Sequence, residues 1–565
     1  MNHRTIRTLF SVVFLFLLSR CEVFAFQNGE EYRSLGILSS RMVVWFVAQL
    51  HLLFAAFVLG VPIFSVIIEY IGVYKRDTRY DRLAREFITL TITAYSVTAL
   101  LGGLLLFVLI AFYPGFFNYL SSVFYSTMIF YGLLFLAETV TLYFYYYSWE
   151  SLGENKVIHL SLGVLLNLIG LTLMFVANSW ATFMMSPSGI DMETGALTGL
   201  WEAVNNPTWM PVNIHRLIGN IAFGGAVVAA YGAIRFLLSE TKEEKAHYDW
   251  MGHTGNLIAI SALIPLPFAG YWLGKEIYDY NQAMGIRMMG DLFSWLFIIQ
   301  ASMVGVIFLG TNYYLWSGMN RISGAEVFKP VRPLLVAVLI LCIGVWMTPH
   351  TLFGMEKILS NHHPTLGVLG LMSAKNSAVN IIILVTFFTF FLYRRATTGA
   401  AGEGVRGSRL QIAVLLVAGI LVIAIGVVGY IPKYSGEIRI NTLTPAQVII
   451  VLFSMCLVTG FDVVRLKNRS APAKIEWGNM TNRSQYILIL IAVTFTSLMG
   501  LMGYARSGIR ENWHVYGVVE DTSVDAFTPT LGYAMDYISQ IMVVFVLLLV
   551  LIFWLRGLQR GDGDQ

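Results

Sequence analysis

Charged side chains are scarce in this sequence. Asp, Glu, Lys and Arg make up only 12% of its 565 residues, whereas 57% of the residues are hydrophobic. So few charges cannot cover the surface of a soluble protein of this length. The mean hydropathy of +0.68 agrees with a chain whose main solvent is the lipid bilayer. No stretch of sequence is left that would form a separate soluble domain.

Cysteine is almost absent, since the chain has only Cys21, Cys342 and Cys456. These residues lie far apart and none belongs to a C-x-x-C-H sequence, which excludes covalent attachment of a c-type haem to this chain. Cys21 falls within a predicted signal peptide, and two distant cysteines cannot build an iron–sulfur cluster. Histidine and methionine therefore remain as the candidate ligands for a redox metal.

Apolar runs of about 20 residues, the length that spans a bilayer, follow one another with short polar breaks. They predict an all-α, polytopic bundle of about thirteen transmembrane spans. The spans are expected at residues 42–72, 87–112, 123–147, 158–181, 212–234, 252–273, 286–315, 333–350, 376–393, 410–430, 446–463, 485–503 and 536–555. Residues 1–25 read as a cleaved secretory signal, with an uncleaved anchor helix as the alternative.

Lys and Arg are unevenly divided between alternate loops, and cytoplasmic loops normally hold the basic excess. If the N-terminus lies outside, basic residues such as Lys75, Arg76 and Arg79 collect inside, and Arg556 and Arg560 leave the C-terminus inside. The sequence thus predicts a multi-pass protein of the plasma (inner) membrane. The basic residues of the predicted inner loops account for the net charge of +4, so this charge does not imply a nucleic-acid partner.

The histidines concentrate toward the predicted outer face. His51, His215 and His350 lie near the outer ends of three spans, and Met289 shares the depth of His215. Further histidines in predicted outer loops are His362, His363 and His514. Ionisable groups within a membrane are costly and usually functional, and haem iron accepts His/Met or His/His pairs. A haem layer is one interpretation; hydrogen-bonded packing or a proton relay is the other.

Several segments, in order along the chain, carry a family resemblance. They are His51-Leu52-Leu53-Phe54 with Leu59-Gly60 and Glu69, then Ala137-Glu138-Thr139, Trp149-Glu150, Lys156-Val157-Ile158-His159, Ala177-Asn178-Ser179-Trp180, Ser186-Pro187-Ser188-Gly189, Asn206-Pro207, Ile214-His215 and Arg287-Met288-Met289. As an ordered series, they make residues 40–395 resemble subunit I of the cytochrome bd-type oxidases.

The resemblance implies specific roles for these residues. His215 and Met289 would be the axial pair of a low-spin haem b, with Arg287 near its edge. His51 would hold a second haem, one of an oxygen-reacting pair, and Glu138 would lie on the proton route to that pair. The resemblance also implies more than one haem b, possible use of haem d, a second membrane subunit and oxygen as the electron acceptor.

Two departures from the family pattern concern the proposed haem pair. Phe130 stands where the family has a second acidic residue in the third span. At the end of the eighth span, Trp346-Met347-Thr348-Pro349-His350 replaces a glutamate-containing motif, so a haem ligand there would change from carboxylate to imidazole. The alternatives are an interfacial loop residue for His350 and a helix–helix hydrogen bond for Glu138.

Two further departures concern the electron donor and the chain length. The outer loop around Lys275 and Glu276 is much shorter than the family's quinol-binding loop, which makes an outer-face cytochrome c a credible donor. A Gly-rich linker at 396–409 precedes additional helices at 410–565. In that part, Arg510 and His514 are candidates for contacting a haem propionate or a docked partner, or are ordinary loop residues.

The sequence therefore favours a membrane haem protein that passes electrons to oxygen and takes protons from the inside. Two other functions remain open. One is a non-oxidase haem subunit that transfers electrons with a docked cytochrome c complex. The other is a haem-free, proton-coupled transporter that would use Glu138 and the histidines as its proton path.

Overall fold

A computed structural model describes residues 39–353, 372–398, 409–431, 438–466, 473, 475–522 and 538–552. Almost all of them are helical. The helices are α1 (Ser40–Lys75), α2 (Thr78–Phe112), α3 (Pro114–Tyr147), α4 (Lys156–Phe183), α5 (Leu200–Val204), α6 (Trp209–Leu238), α7 (Lys242–Leu263), α8 (Leu266–Tyr280), α9 (Gln282–Arg287), α10 (Ser294–Gly318), α11 (Arg332–Trp346), α12 (Met372–Thr397), α13 (Arg409–Val428), α14 (Thr444–Leu466), α15 (Asn482–Gly508) and α16 (Ile538–Ile552).

The all-α polytopic prediction is confirmed. Within the described residues, twelve helical segments are long and apolar enough to cross a membrane, and the shorter apolar α16 stands where the thirteenth span is expected. The chain is a multi-pass protein of the plasma membrane. Residues 1–25, predicted to be a signal peptide, and the residues His362, His363, Arg556 and Arg560 lie outside the described residues.

One expected loop is helical instead. Lys275 and Glu276 were expected in a polar turn, but α8 continues through both to Tyr280. A side-chain ion pair of 2.6 Å joins Lys275 to Asp279 one turn later, and the Trp272 indole donates to Glu276 at 3.2 Å. Proline explains the start of this helix, because Pro265 ends the preceding helix α7 and φ-restricted proline suits a first helical turn.

Close helix contacts through glycine build the centre of the bundle. A β-carbon at Gly60 of α1 would lie 2.2 Å from the Asn220 carbonyl oxygen of α6. A β-carbon at Gly255 of α7 would similarly lie 2.7 Å from the Gly225 carbonyl oxygen of α6. Small residues let transmembrane backbones approach in this way, where there is no hydrophobic drive to pull helices together. Helix α6 is thereby clamped between α1 and α7.

The C-terminal helices pack into the same core as the N-terminal ones. Helix α15 packs against α6 and α10 and also contacts α1. Phe223 of α6 meets Phe495 of α15 with ring centroids 6.3 Å apart, and Phe54 of α1 meets Phe545 of α16 at 5.0 Å. The helices beyond residue 410 are therefore integral to the bundle around α1 and α6.

Two ends of the bundle can be recognised from the helix termini. We call them the His51 end and the His159 end. A small hairpin of β1 (Trp513–Val515) and β2 (Val519–Glu520) lies at the His51 end, where the Tyr516 amide donates to the Met184 carbonyl at 3.0 Å. At the His159 end, the loop before α15 pairs with the segment after α10 through a bridge between Ile322 and Ile475.

Candidate functional site

His51 lies on α1 with its ring directed at α2. Its Nδ1 is 3.1 Å from the Thr98 carbonyl oxygen, which can only accept, so Nδ1 carries the proton and donates. A β-carbon at Gly102, one turn further along α2, would come within 3.0 Å of the His51 Cε1. This arrangement orients the imidazole and leaves Nε2 with its lone pair, the state in which histidine binds a metal.

His215 lies in the second turn of α6, facing α8. Its Nδ1 is buried and has no hydrogen-bond partner among the described residues. The ring fits against Gly270, where a β-carbon would lie 3.4 Å from the His215 Cε1. Buried polar nitrogens are nearly always hydrogen-bonded in folded proteins. The unpaired Nδ1 therefore makes the His215 imidazole a candidate for binding a ligand.

The two methionines after α9 occupy different places. The Met288 methyl group lies against Gly274 of α8, 3.7 Å from where a β-carbon would be. Gly270 and Gly274 are one turn apart on α8, so His215 and Met288 pack along the same helix face. Met289, the ligand implied by the resemblance, offers its carbonyl oxygen to the His350 amide at 2.9 Å.

His350 is thus placed beside Met289. A β-carbon at Gly290 would lie 3.2 Å from the His350 Cβ. His51, in contrast, contacts Thr98 and Gly102 of α2. The sequence groups His350 with His51 as holders of a haem pair, which stays a prediction, and the described contacts place the His350 backbone beside Met289. The two candidate ligands His350 and Met289 come together because the turn after α9 and the end of α11 share the His51 end.

Arg287 and His514 each contact residues from the other part of the chain. Arg287 forms an ion pair with Glu511, in the loop after α15. His514, in β1, stacks on the Phe116 ring and meets the Tyr113 ring edge-to-face, each with a centroid distance of 4.8 Å. Burial lowers the pKa of the His514 imidazole to about 4. This ring is therefore neutral near pH 7 and packs as an aromatic group.

Glu138 is a buried carboxyl on α3. Its Oε1 would be 3.0 Å from a β-carbon at Gly170 of α4, and Leu59 of α1 lies at the same spot. Leu59 is eight residues beyond His51 on α1, which corresponds to about 12 Å of helix. Phe130, at the position of the family's second acid, is 47% exposed on the outside of the bundle.

A polar network at the His159 end was not predicted from the sequence, although Glu69, Lys156 and His159 appear in the quoted segments. The fully buried Glu69 receives hydrogen bonds from the Tyr145 hydroxyl at 2.7 Å and from His159 Nδ1 at 2.6 Å. Lys156 bridges Glu69 at 3.2 Å and Asp81 at 2.6 Å. The spacing of Lys156 and His159, three residues apart on one helix face, is the signal that would have found it.

The residues at the His51 end fit a haem better than a simple metal ion. The described residues contain no cluster of three or more His, Cys, Asp or Glu that could hold an ion. Haem needs only one or two axial ligands, because the porphyrin supplies the other four. The oriented His51, the partnerless Nδ1 of His215 and the glycine-lined face of α8 satisfy that smaller requirement.

Comparison with known proteins adds a family to this geometry. The family model for the cytochrome bd terminal oxidase subunit I matches residues 39–294. Among solved structures, the chain is similar to the bd oxidase from Geobacillus thermodenitrificans. The sequences are 15% identical, the match covers 76% of this chain and 98% of that chain, and the TM-score is 0.42. A search of curated proteins finds no match.

The fold and the site define a polytopic helical membrane protein with His51, His215, His350 and His514 at one end of its bundle. Residues 39–294, a little under half of the chain, match the family model of the cytochrome bd terminal oxidase subunit I. His51, Glu138, His215 and Met289 fall within the match. His350 and the helices beyond it lie outside the matched part.

Proposed function

We propose that this chain is the haem-carrying subunit of a membrane-bound oxygen reductase of the cytochrome bd type. The observation that carries the proposal is the orientation of His51. Its Nδ1 donates to the Thr98 carbonyl at 3.1 Å and leaves Nε2 free to bind a metal. Such a second hydrogen bond fixes the tautomer of metal-binding histidines and raises their basicity.

The candidate ligands would hold the haems at separate sites. His51 would hold one haem b from one side, and His215 with Met289 would hold a low-spin haem b from both sides. A bound haem supplies an iron that takes up electrons and, where one axial position is open, a diatomic ligand. Whether haem d replaces a haem b would follow from pigment extraction. His350, beside Met289, would be the ligand of a third haem.

Glu138 would move the protons that oxygen reduction consumes. It is buried between α3 and α4 beside Leu59 of α1, on the side of His51 that leads toward the His159 end. An intramembrane carboxyl in apolar surroundings can be neutral at rest and pass a proton on. The partners would be a second membrane subunit and a cytochrome c that donates electrons, because α8 replaces the turn expected there and no long quinol loop precedes α9.

One observation favours a second function, electron transfer without oxygen chemistry. His350 and Met289 are joined through their backbones at 2.9 Å. If His350 closes the coordination of a haem together with a neighbouring ligand, that iron has no open position. A subunit with every haem closed would only relay electrons to a docked cytochrome c complex.

Carbon monoxide separates the two functions, because it binds reduced haem only at an open axial position. We expect the reduced wild-type protein to show a carbon monoxide difference spectrum, and His51→Ala to remove the part that comes from the haem at His51. His350→Ala should keep it, since the described contacts place His350 beside Met289. Absence of any carbon monoxide shift in haem-loaded wild type would exclude oxygen reduction and leave electron transfer. A shift lost with His350→Ala but kept with His51→Ala would reverse the assignment of the two histidines.

A further inference from the structure

The loop between α4 and α6 exposes apolar side chains at the His51 end. Trp201 is 64% exposed, and Met192 and Leu197 of the same loop are exposed as well. The loop, residues 184–208, lies between two helices that are long enough to span the membrane, so these side chains do not belong to a lipid-facing span. Tryptophan is enriched among the residues that dominate binding at protein interfaces. The exposed Trp201 therefore indicates a binding surface.

This loop has a defined conformation. The Ser188 hydroxyl donates to the Glu202 carbonyl at 2.6 Å, across the two arms of the loop. The Tyr119 hydroxyl of α3 donates to the Gly195 carbonyl at 3.1 Å and fixes the tip of the loop to the bundle. A partner that binds Trp201 would therefore meet a preorganised surface, which lowers the entropy cost of association.

Trp201 is in contact with the helix that carries His215. Its ring meets the Trp209 ring edge-to-face with centroids 6.0 Å apart. Trp209 is the first residue of α6, and its indole donates to the Phe175 carbonyl at 2.8 Å. His215 follows six residues later, which corresponds to about 9 Å of helix. The exposed tryptophan thus lies a short distance from a candidate haem ligand.

Carboxylates surround the exposed tryptophan. Asp191, Glu193 and Glu202 are exposed, and residues 184–208 include no Lys or Arg. The β1–β2 hairpin, which packs against this loop, adds the exposed Glu520. A surface with one sign of charge attracts a partner of the opposite sign and steers its approach. Anionic lipid head groups attract basic segments instead. The charge therefore favours a basic protein as the partner.

We infer that this loop docks a soluble, lysine-rich electron carrier, a small haem or copper protein. We call the docking site the Trp201 surface; Trp201 forms its apolar contact, and Asp191, Glu193 and Glu202 form its charged rim. This inference rests on the proposed function and adds the place where the electron donor binds. The metal centre of the carrier loses one electron, and the haem held by His215 gains it. Small interfaces with a polar rim are typical of transient electron-transfer pairs.

Binding of a carrier tests the Trp201 surface without any turnover. The probe is oxidised, lysine-rich mitochondrial cytochrome c, and its affinity for the haem-loaded protein in nanodiscs is measured by biolayer interferometry at rising salt. We expect Trp201→Ala to weaken binding about tenfold. The triple variant Asp191→Asn, Glu193→Gln, Glu202→Gln should weaken binding at low salt and lose most of its salt dependence, because salt screens exposed charges.

Two matched variants serve as controls and should leave the affinity unchanged. Trp272→Ala replaces another exposed tryptophan at the same end, on α8. Glu243→Gln removes an exposed carboxylate at the His159 end. Cytochrome c with acetylated lysines has lost its positive charge, so it should bind the wild type and the triple variant equally weakly. Equal affinity of unmodified cytochrome c for the wild type and Trp201→Ala would overturn the inference.

Stopped-flow reduction separates the inference from the proposed function. Haem-free wild-type protein would remove the proposed function, and the inference with it. In haem-loaded protein, we expect reduced cytochrome c to reduce Trp201→Ala about tenfold more slowly than the wild type, whereas a small-molecule reductant reduces both at the same rate. Equal rates with cytochrome c would overturn the inference alone.

A fluorescence measurement tests whether Trp201 contacts lipid instead. The contribution of Trp201 is the difference between the wild type and Trp201→Phe, both in nanodiscs. We expect brominated phospholipids to leave this difference unquenched. Quenching would place the side chain among the lipid head groups, as for an interfacial tryptophan, and would overturn the docking assignment. Melting of each purified variant verifies that it is folded.

Discussion

The two ends of the bundle differ in whether their buried charges are paired within the chain. At the His159 end, buried charges are neutralised within the chain. Arg321 NH1 contacts both Asp249 carboxylate oxygens at 2.5 Å, and the Gly478 amide donates to the same carboxylate at 2.8 Å. Lys156 and His159 are likewise paired to Glu69. These groups have the partners that buried ions require.

At the His51 end, cations and imidazoles outnumber their partners in the described part of the chain. Arg216, Arg506 and Arg510 donate to neutral oxygens, and the Nδ1 of His215 has no partner among the described residues. Both ends belong to one bundle and are built from the same helices. The difference in charge pairing therefore does not mean that one end is less well folded. The charges at the His159 end complete the fold, whereas the cations and imidazoles at the His51 end lie where we propose the cofactor site.

The largest expected effect lies at the His159 end. Asp249→Asn leaves Arg321 as a buried ion without a counter-charge. We expect a loss of about 3–5 kcal/mol in the free energy of unfolding, measured by chemical unfolding in mixed micelles. Replacing Arg321 by Met in the same chain should recover part of this loss, because the stranded charge is then gone.

The matched control is the exposed pair on α8. Asp279→Asn breaks the 2.6 Å ion pair with Lys275, which is partly exposed. Its cost should be below about 1 kcal/mol, as for other surface pairs. Equal losses for Asp249→Asn and Asp279→Asn would mean that the charges at the His159 end do not hold the fold together, and the contrast between the ends would fail.

A smaller effect is expected for Glu138, whose carboxyl lies between the two ends of the bundle. Glu138→Gln keeps the size of the side chain and removes its ability to carry a proton. We expect oxygen consumption to fall by about 10²-fold, as for loss of a general acid or base, with haem content and melting unchanged. Thr141→Val, on the same helix α3, is the control. Full turnover in Glu138→Gln would remove this residue from the proton route.

The sequence predicted the parts of the structure that the bilayer controls. Hydropathy locates each span, because about 20 apolar residues must follow one another in lipid. The shared depth of His51 and His215 follows directly from those spans. Hydropathy does not say which helix faces which, so it could not predict that His350 adjoins Met289 or that α15 packs between α6 and α10.

Long-range contacts account for the rest of what was missed. The helical continuation through Lys275 to Tyr280 depends on local ion pairs in a segment that composition marks as polar. Arg216 of α6 and Arg506 of α15 lie within electrostatic range of each other, although they are 290 positions apart in the sequence. Arg510 was singled out from the sequence, but Arg216 and Arg506 were not, since an arginine near a helix end looks like an ordinary topology signal until its neighbours are known.

The haem content of the purified chain tests the central claim most directly. Pyridine haemochrome analysis should find haem b in the wild type, and the low-spin reduced band should disappear in His215→Ala and in Met289→Leu. Met288→Leu, the adjacent residue against Gly274, should keep that band. Clean, folded wild-type protein without any haem would contradict the account and favour the proton-coupled transporter.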